Sequence, residues 1–271
     1  MTRISSYPAG VPCFVDAFSP DLDAARRFYA GIFGWEFAGP GPMPGTPGDP
    51  PGEYHVARVR GGDVAGLGSM PSPQTPVVWN TQVAVDDVDA TAELARAAGG
   101  SVLVAALDAD PAGRLAVIAD PTGAAITLWQ AGSRHGAELV NEPSAWAMSL
   151  LSTPDPETAG GFYEAVFGWE REPFEDAGPG VSLFRLPGYV GGEPGQPVPR
   201  DVVAAMAGVP DPAAQAAWSV DFWIADAEAA AAAAPELGGS VIAPAHDAPP
   251  FRRAVLAAPD GATFSVSELR L

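Results

Sequence analysis

The stretch FYAGIFGWEF at residues 28–37 returns 134 residues later as FYEAVFGWER at residues 162–171. Longer correspondences surround both copies. SPDLDAARRFY (19–29) answers TPDPETAGGFY (153–163), and WNTQVAVDDVDATAELARAAGGSV (79–102) answers WSVDFWIADAEAAAAAAPELGGSV (218–241). Near each half's end, IADPTGAAITLW (118–129) answers LAAPDGATFSVS (256–267). A period this long means duplicated domains rather than a solenoid of short repeats. The halves meet near GSRHGAELVNEPSA (132–145).

Each half divides once more. The alternating segment CFVDAF (13–18) reads as a strand with one buried face. In the following DLDAARRFYAGIF, residues Leu22, Ala25, Phe28, Tyr29 and Ile32 recur at helical spacing. Asp21 is the expected N-cap, and Gly34 ends the helix. NTQVAV (80–85) is likewise followed by Asp87 and the helix VDATAELARAAGG, closed by a glycine pair. A strand–helix–strands unit is therefore expected four times. Phe28, Tyr29, Phe33 and Trp35 then read as the apolar glue between a helix and its own sheet, since helix-spaced aromatics are core residues.

Composition narrows the chemistry. The chain has 271 residues, 47% of them hydrophobic, and no apolar run approaches membrane-spanning length. No signal peptide is expected behind MTRISSYPAG, so the expected location is the cytoplasm. A net charge of −19 argues against a nucleic-acid partner, because phosphate contacts need clustered cations. All 14 cations are arginine, which removes Schiff-base and P-loop lysine chemistry. Cys13 stands alone, excluding an internal disulfide and a cysteine-based zinc site. No Gly-x-Ser-x-Gly elbow or dinucleotide-binding glycine turn occurs in a suitable context.

The unit of strand, D-x-x-x-A-x-x-FY, FGW and then DPxG-x-x-I-x-L-W resembles the vicinal oxygen chelate superfamily, which includes glyoxalases, bleomycin-resistance proteins and extradiol dioxygenases. The doubled FGWE form is most similar to actinobacterial proteins with tandem glyoxalase-like domains. The resemblance runs from about Val11 to Leu269. It implies an α+β fold of four βαβββ modules in two tandem glyoxalase-like domains, residues 1–134 and 135–271. In that superfamily paired modules curl their sheets around one cavity, so two cavities are expected here.

The resemblance also places the superfamily's metal ligands, normally His, Gln and Glu. The matching positions carry Phe14, Asn80 and Thr127 in the first half, and Met148, Ser219 and Ser265 in the second. That set lacks the pattern a divalent metal requires, so no metal and no other cofactor is expected. The three histidines fall in separate segments: His55 in EYHVARVR, His135 in the linker and His246 in a Pro-rich loop. Only His55 is a candidate for the first cavity, as a polar or acid–base group; the alternative is a hydrogen-bonded strand residue. The glycine-rich 61–70 reads as a loop over a cavity or a turn, and the Pro/Gly-rich 39–53 as a lid loop.

Strand alternation from the ligand positions lines the first cavity with Phe14, Asp16, Asn80, Gln82, Thr127 and Trp129. The second is lined by Met148, Leu150, Ser219, Asp221, Trp223, Ser265 and Ser267. Walls mixing aromatics with a few amides and hydroxyls suit a flat, partly polar organic ligand. The leading expectation is metal-independent binding of an aromatic or polyketide-like metabolite, for sequestration or as a biosynthetic accessory. The rival is a metal-free enzyme, a cyclase, isomerase or hydroxylase partner, with Asp16 or Asp221 as base and His55, Asn80 or Gln82 orienting an enolate. An interaction scaffold with vestigial cavities is the third. No membrane partner is expected, and the chain is expected to be a monomer or homodimer.

Overall fold

The computed structural model describes residues 3–43, 52–174, 178, 180–191 and 200–270. The first half runs β1 (Pro12–Ser19), α1 (Leu22–Phe33), β2 (Glu36–Pro42), β3 (Glu53–Val59), β4 (Gly62–Ser69), then β5 (Trp79–Ala84), α2 (Val88–Ala97), β6 (Ser101–Ala109), β7 (Gly113–Ala119) and β8 (Ala125–Ala131). The second repeats it: β9 (Trp146–Thr153), α3 (Pro156–Phe167), β10 (Glu170–Pro173), β11 (Val181–Arg185), β12 (Val202–Gly208), then β13 (Ala217–Trp223), α4 (Ala227–Glu236), β14 (Ser240–Ala248), β15 (Phe251–Ala257) and β16 (Thr263–Leu269). Four βαβββ modules are thus present. Each half forms one eight-stranded sheet, ordered β2-β3-β4-β1-β5-β8-β7-β6 and β10-β11-β12-β9-β13-β16-β15-β14. The first strands of the two modules in a half pair antiparallel at the sheet's centre, β1 with β5 and β9 with β13.

Local chemistry sets the helix limits. Asp21, Asp87, Asp155 and Asp226 each cap a helix by accepting from a backbone N–H three residues on. Gly34 and Gly168 close α1 and α3 at φ 69° and 72°, the left-handed conformation glycine adopts without strain.

The FGWE aromatics are buried, but they hold more than a helix to its own sheet. Phe33 and Trp35 pack on Phe222 of β13 at ring-centroid distances of 5.0 and 5.6 Å. Phe28 and Phe33 also meet Phe264 of β16, at 6.2 and 5.8 Å. One core therefore joins the first module to the fourth, and another joins the second to the third, where Phe162 and Tyr163 share a cluster with Ile118 and Leu128. Each half's tryptophan reaches across as well: Trp35 Nε1 donates to Ser144 O at 2.7 Å, and Trp169 Nε1 to Gly10 O at 2.6 Å.

Three expectations change. Residues 62–69 are not a loop over a cavity but β4, an interior strand pairing parallel with β1. Its glycines make room for a neighbouring side chain rather than for motion: a Cβ on Gly66 would lie 1.9 Å from Tyr54 Oη. His246 lies on β14, paired with Arg253, rather than in a loop; its ring is exposed. The expected lid of residues 39–53 is split: 39–42 belong to β2, while 44–51 fall outside the described residues.

Candidate functional site

Strand register assembles the first wall. Phe14 lies opposite Gln82, Asp16 opposite Asn80, Gln82 opposite Thr127 and Ala84 opposite Trp129. Phe14, Asp16, Asn80, Gln82, Thr127 and Trp129 consequently share one face, and all but half-buried Asn80 are buried. Asp16 is its hub. Its carboxylate accepts from Gln82 Nε2 at 2.7 Å, Tyr54 Oη at 2.9 Å and Asn80 Nδ2 at 3.2 Å. Burial pushes the Asp16 carboxyl above the ordinary carboxylate range, and Tyr54, Arg134, Asn80 and Gln82 counter that rise.

Two residues of this site escape strand-alternation reasoning. Tyr54 comes from β3, two strands from β1, and crosses the sheet over Gly66 to reach Asp16. Arg134 comes from the linker after β8. Its guanidinium carbon sits 4.6 Å from the Trp129 ring centroid, 5.0 Å from Phe14 and 5.1 Å from Tyr54. Such cation–π geometry is strongest where the cation is desolvated. Trp129 Nε1 donates to Arg134 O at 3.0 Å, and Gly113 leaves space for the Trp129 ring, since a Cβ there would lie 2.7 Å from Trp129 Cζ2. Of the seven buried polar atoms without a partner among the described residues, two belong to this wall: Gln82 Oε1 and Arg134 Nε.

His55 does not join them. It adjoins Tyr54 on β3, so its side chain faces the opposite side of the sheet. There it is buried, with Nε2 3.2 Å from Glu53 Oε2. Its expected place in the first cavity is corrected accordingly. His135 and His246 are exposed.

The second wall also assembles by register, with Met148 opposite Asp221, Leu150 opposite Ser219, Asp221 beside Ser265 and Trp223 beside Ser267. It is wetter: Met148, Leu150, Ser219, Trp223 and Ser265 are only half-buried. Here the hub is Asp221, which accepts from Ser267 Oγ at 2.8 Å and pairs with Arg253 Nη2 at 3.2 Å. Arg253 also donates to Ser265 Oγ at 3.3 Å. Ser219 spends its hydroxyl on Leu150 O at 3.3 Å, which leaves it less to offer a ligand. Trp223 and Phe251 stand 6.3 Å apart, making a second aromatic edge. A groove of about 1180 Å³ runs between residues 3–9, 138–142 and 186–191, lined by none of the first-wall or second-wall residues named above.

Burial raises the Asp221 carboxyl, with Arg253, Ser267 and Ser265 opposing. As pH falls, a carboxyl raised in the folded state takes up its proton before the same carboxyl in the unfolded chain does. Its contribution therefore grows as pH falls toward the ordinary value of 3.8 and is lost as pH rises through the folded value. We expect the melting temperature of the parent, relative to Asp221→Asn, to improve on acidification through that window. A constant difference across pH would show that Asp221 does not titrate abnormally.

A divalent metal needs about three convergent anionic or imidazole donors. The residues at the superfamily's ligand positions do not fit one. Phe14 carries a guanidinium on its face, Met148 offers a thioether, and Asn80, Thr127, Ser219 and Ser265 are neutral. Among the described residues no three His, Cys, Asp or Glu side chains gather into a metal-binding group.

The Glyoxalase-like domain profile matches residues 13–129 and again 134–267. CFP32 of Mycobacterium tuberculosis, provisionally named a glyoxylase, is 40% identical over 272 residues, covering 98% of this chain and 97% of its own. The anthracycline biosynthesis protein DauV of Streptomyces sp. strain C5 is 33% identical over 290 residues, covering 100% and 96%. A Mn(II)-bound glyoxalase from Novosphingobium aromaticivorans shares the fold at a TM-score of 0.64, with 16% identity over 99% of this chain and 83% of that one. Two tandem copies of the domain, four βαβββ modules and these relatives together place the chain in the glyoxalase-like family of the vicinal oxygen chelate superfamily.

Proposed function

We propose that this protein binds an aromatic or polyketide-like metabolite on the first wall, without a divalent metal. The observation that carries this reading is the three-ring box of Phe14, Tyr54 and Trp129 beside the Asp16–Asn80–Gln82 cluster. Flat rings recognise flat ligands through stacking and burial, and a few placed polar groups orient them. The similarity to DauV, an anthracycline biosynthesis protein, supports the ligand class.

Gln82 gives the reading its sharpest test, because Oε1 is a buried acceptor awaiting a donor. A ligand hydroxyl would supply one. Losing one neutral hydrogen bond costs about 0.5–1.5 kcal/mol, so Gln82→Ala should weaken a hydroxylated anthraquinone probe roughly 2- to 13-fold in calorimetry. Unchanged affinity in a folded variant would move the ligand off this wall, and the Asp221–Arg253 wall would become the site.

Binding should be equal in chelator-treated protein and in protein supplied with Mn²⁺, and elemental analysis should find well under one equivalent of zinc, iron, nickel or manganese per half. Binding or turnover that requires added metal would overturn the metal-independent reading.

One observation favours a catalytic variant of this reading: Asp16 and Asp221 are both buried carboxyls that burial raises above the ordinary carboxylate range, the direction an acid–base residue needs. Asp16→Asn would then abolish turnover of a metabolite while leaving its affinity almost unchanged. A variant that loses affinity instead assigns Asp16 to binding alone.

A further inference from the structure

We propose that the first wall is built for an organic cation, and that the Arg134 side chain is an internal stand-in for it, displaced when the ligand enters. This rests on the first wall being the ligand site.

Three features point there. The guanidinium lies within 4.6–5.1 Å of three ring centroids, an arrangement that recognises positive charge and has little value for a neutral group. The charge behind those rings is the buried Asp16, on which Arg134 acts electrostatically. Finally, Arg134 hydrogen-bonds Tyr54 but leaves Nε buried and unpartnered among the described residues.

Exchange requires only side-chain rotation. The linker backbone is pinned, with Ser133 N donating to Pro111 O at 2.9 Å and Arg134 N to Ala112 O at 3.0 Å. Gly132, Ser133 and His135 are exposed, so solvent lies next to the side chain's root. Charge balance then selects the ligand. A neutral molecule that evicts Arg134 strands Asp16 as an uncompensated buried charge, unless the carboxyl takes up a proton. A cation leaves the balance unchanged. The fitting chemistry is a planar or aromatic molecule carrying an amidinium, guanidinium or ammonium group, with a hydrogen-bond donor able to reach Gln82 Oε1.

The test uses phenylguanidinium and its neutral isostere phenylurea, titrated into the full chain and into Arg134→Ala and Arg134→Gln. A competing side chain that vacates the box in a tenth or less of molecules weakens apparent affinity by at least about tenfold. Both variants should therefore bind phenylguanidinium at least about tenfold more tightly than the parent, with Trp129 fluorescence responding, while phenylurea gains little. Asp16→Asn in the Arg134→Gln background should remove the preference for the cation. In the parent, phenylguanidinium should shift the Arg134 Nε–H resonance toward that of a solvent-exposed arginine, a readout independent of any variant's folding.

Equal gains for phenylurea, or its binding with uptake of one proton, would overturn the cation assignment and leave aromatic binding on this wall intact. No gain for either probe, with the Arg134 resonance unmoved, would show Arg134 to be a fixed part of the wall. Binding indifferent to both Arg134 and Asp16 would remove the ligand from the first wall altogether.

Discussion

Replacing Trp35 or Trp169 by alanine should destabilise the protein by about 3–5 kcal/mol each, the range for large-to-small core changes. At this chain length that is a fall in melting temperature of roughly 6–20 °C. Trp35 is 4% exposed and Trp169 0%. Trp35 packs on Phe33 at 4.7 Å and on Phe222 of the other half at 5.6 Å. Trp169 packs on Phe167 at 5.0 Å and Phe184 at 5.3 Å. Each substitution also strands a backbone carbonyl, Ser144 O or Gly10 O. Trp→Phe at either position keeps most of the ring and loses only the hydrogen bond, so it should cost about 1–3 kcal/mol. Because Trp35 touches both halves, the alanine variant should still melt in one transition. Variants melting within a degree or two of the parent would place these rings outside the core.

The second large effect is expected at the glycine pairs that end α2 and α4. A Cβ on Gly239 would lie 2.4 Å from Ala257 O and 2.4 Å from Phe28 Cε2. On Gly100 it would lie 2.5 Å from Ala119 O and 2.5 Å from Phe162 Cε2. A backbone oxygen held in a sheet cannot yield as a flexible side chain can. The opposing phenylalanine is itself wedged in a core. Gly100→Ala and Gly239→Ala should each cost about 1–3 kcal/mol through overpacking, and the valine variants more. Phe28→Leu should recover part of the loss in Gly239→Ala, because it removes the ring edge that the new methyl strikes. Alanine variants as stable as the parent would mean that the helix of one half does not seat on the other.

The fold was legible because its signals are local. Aspartate before each helix, glycine after α1 and α3, and alternation in β1, β5, β9 and β13 are read within a dozen residues. The aromatic phrases were legible as core but not as contacts between halves, since nothing in residues 28–37 states that Phe222 and Phe264 are their partners. The polar wall was half legible. Register along adjacent strands brought Phe14, Asp16, Asn80, Gln82, Thr127 and Trp129 to one face. Tyr54 was missed because reaching Asp16 depends on the missing side chain of Gly66. Arg134 was missed because a linker residue has no strand period to predict its direction. Each left a signal: glycines alternating along β4, and the lone arginine of GSRHG beside the last aromatic strand of its half. His55 was misplaced for a simple reason. Neighbours on a strand point oppositely, and Tyr54 takes the Asp16 side.

The crosswise core has a consequence for how the two walls could diverge. Two halves that complete each other's cores, first module on fourth and second on third, are related like the subunits of a dimer with a two-fold axis. In a dimer of identical chains every substitution is made twice, so neither wall can change alone. Joining the copies in one chain lifts that constraint. Aligning the repeats pairs Asp16 with Leu150, Gln82 with Asp221 and Trp129 with Ser267, so the acid of one wall and the acid of the other occupy different positions. The same freedom shows beside the axis, where Thr81 and Ser149 share a 2.6 Å hydroxyl contact while their repeat counterparts, Val220 and Val15, are aliphatic. Symmetry was kept in the FGWE aromatics that join the halves, and broken both beside the axis and across the two walls.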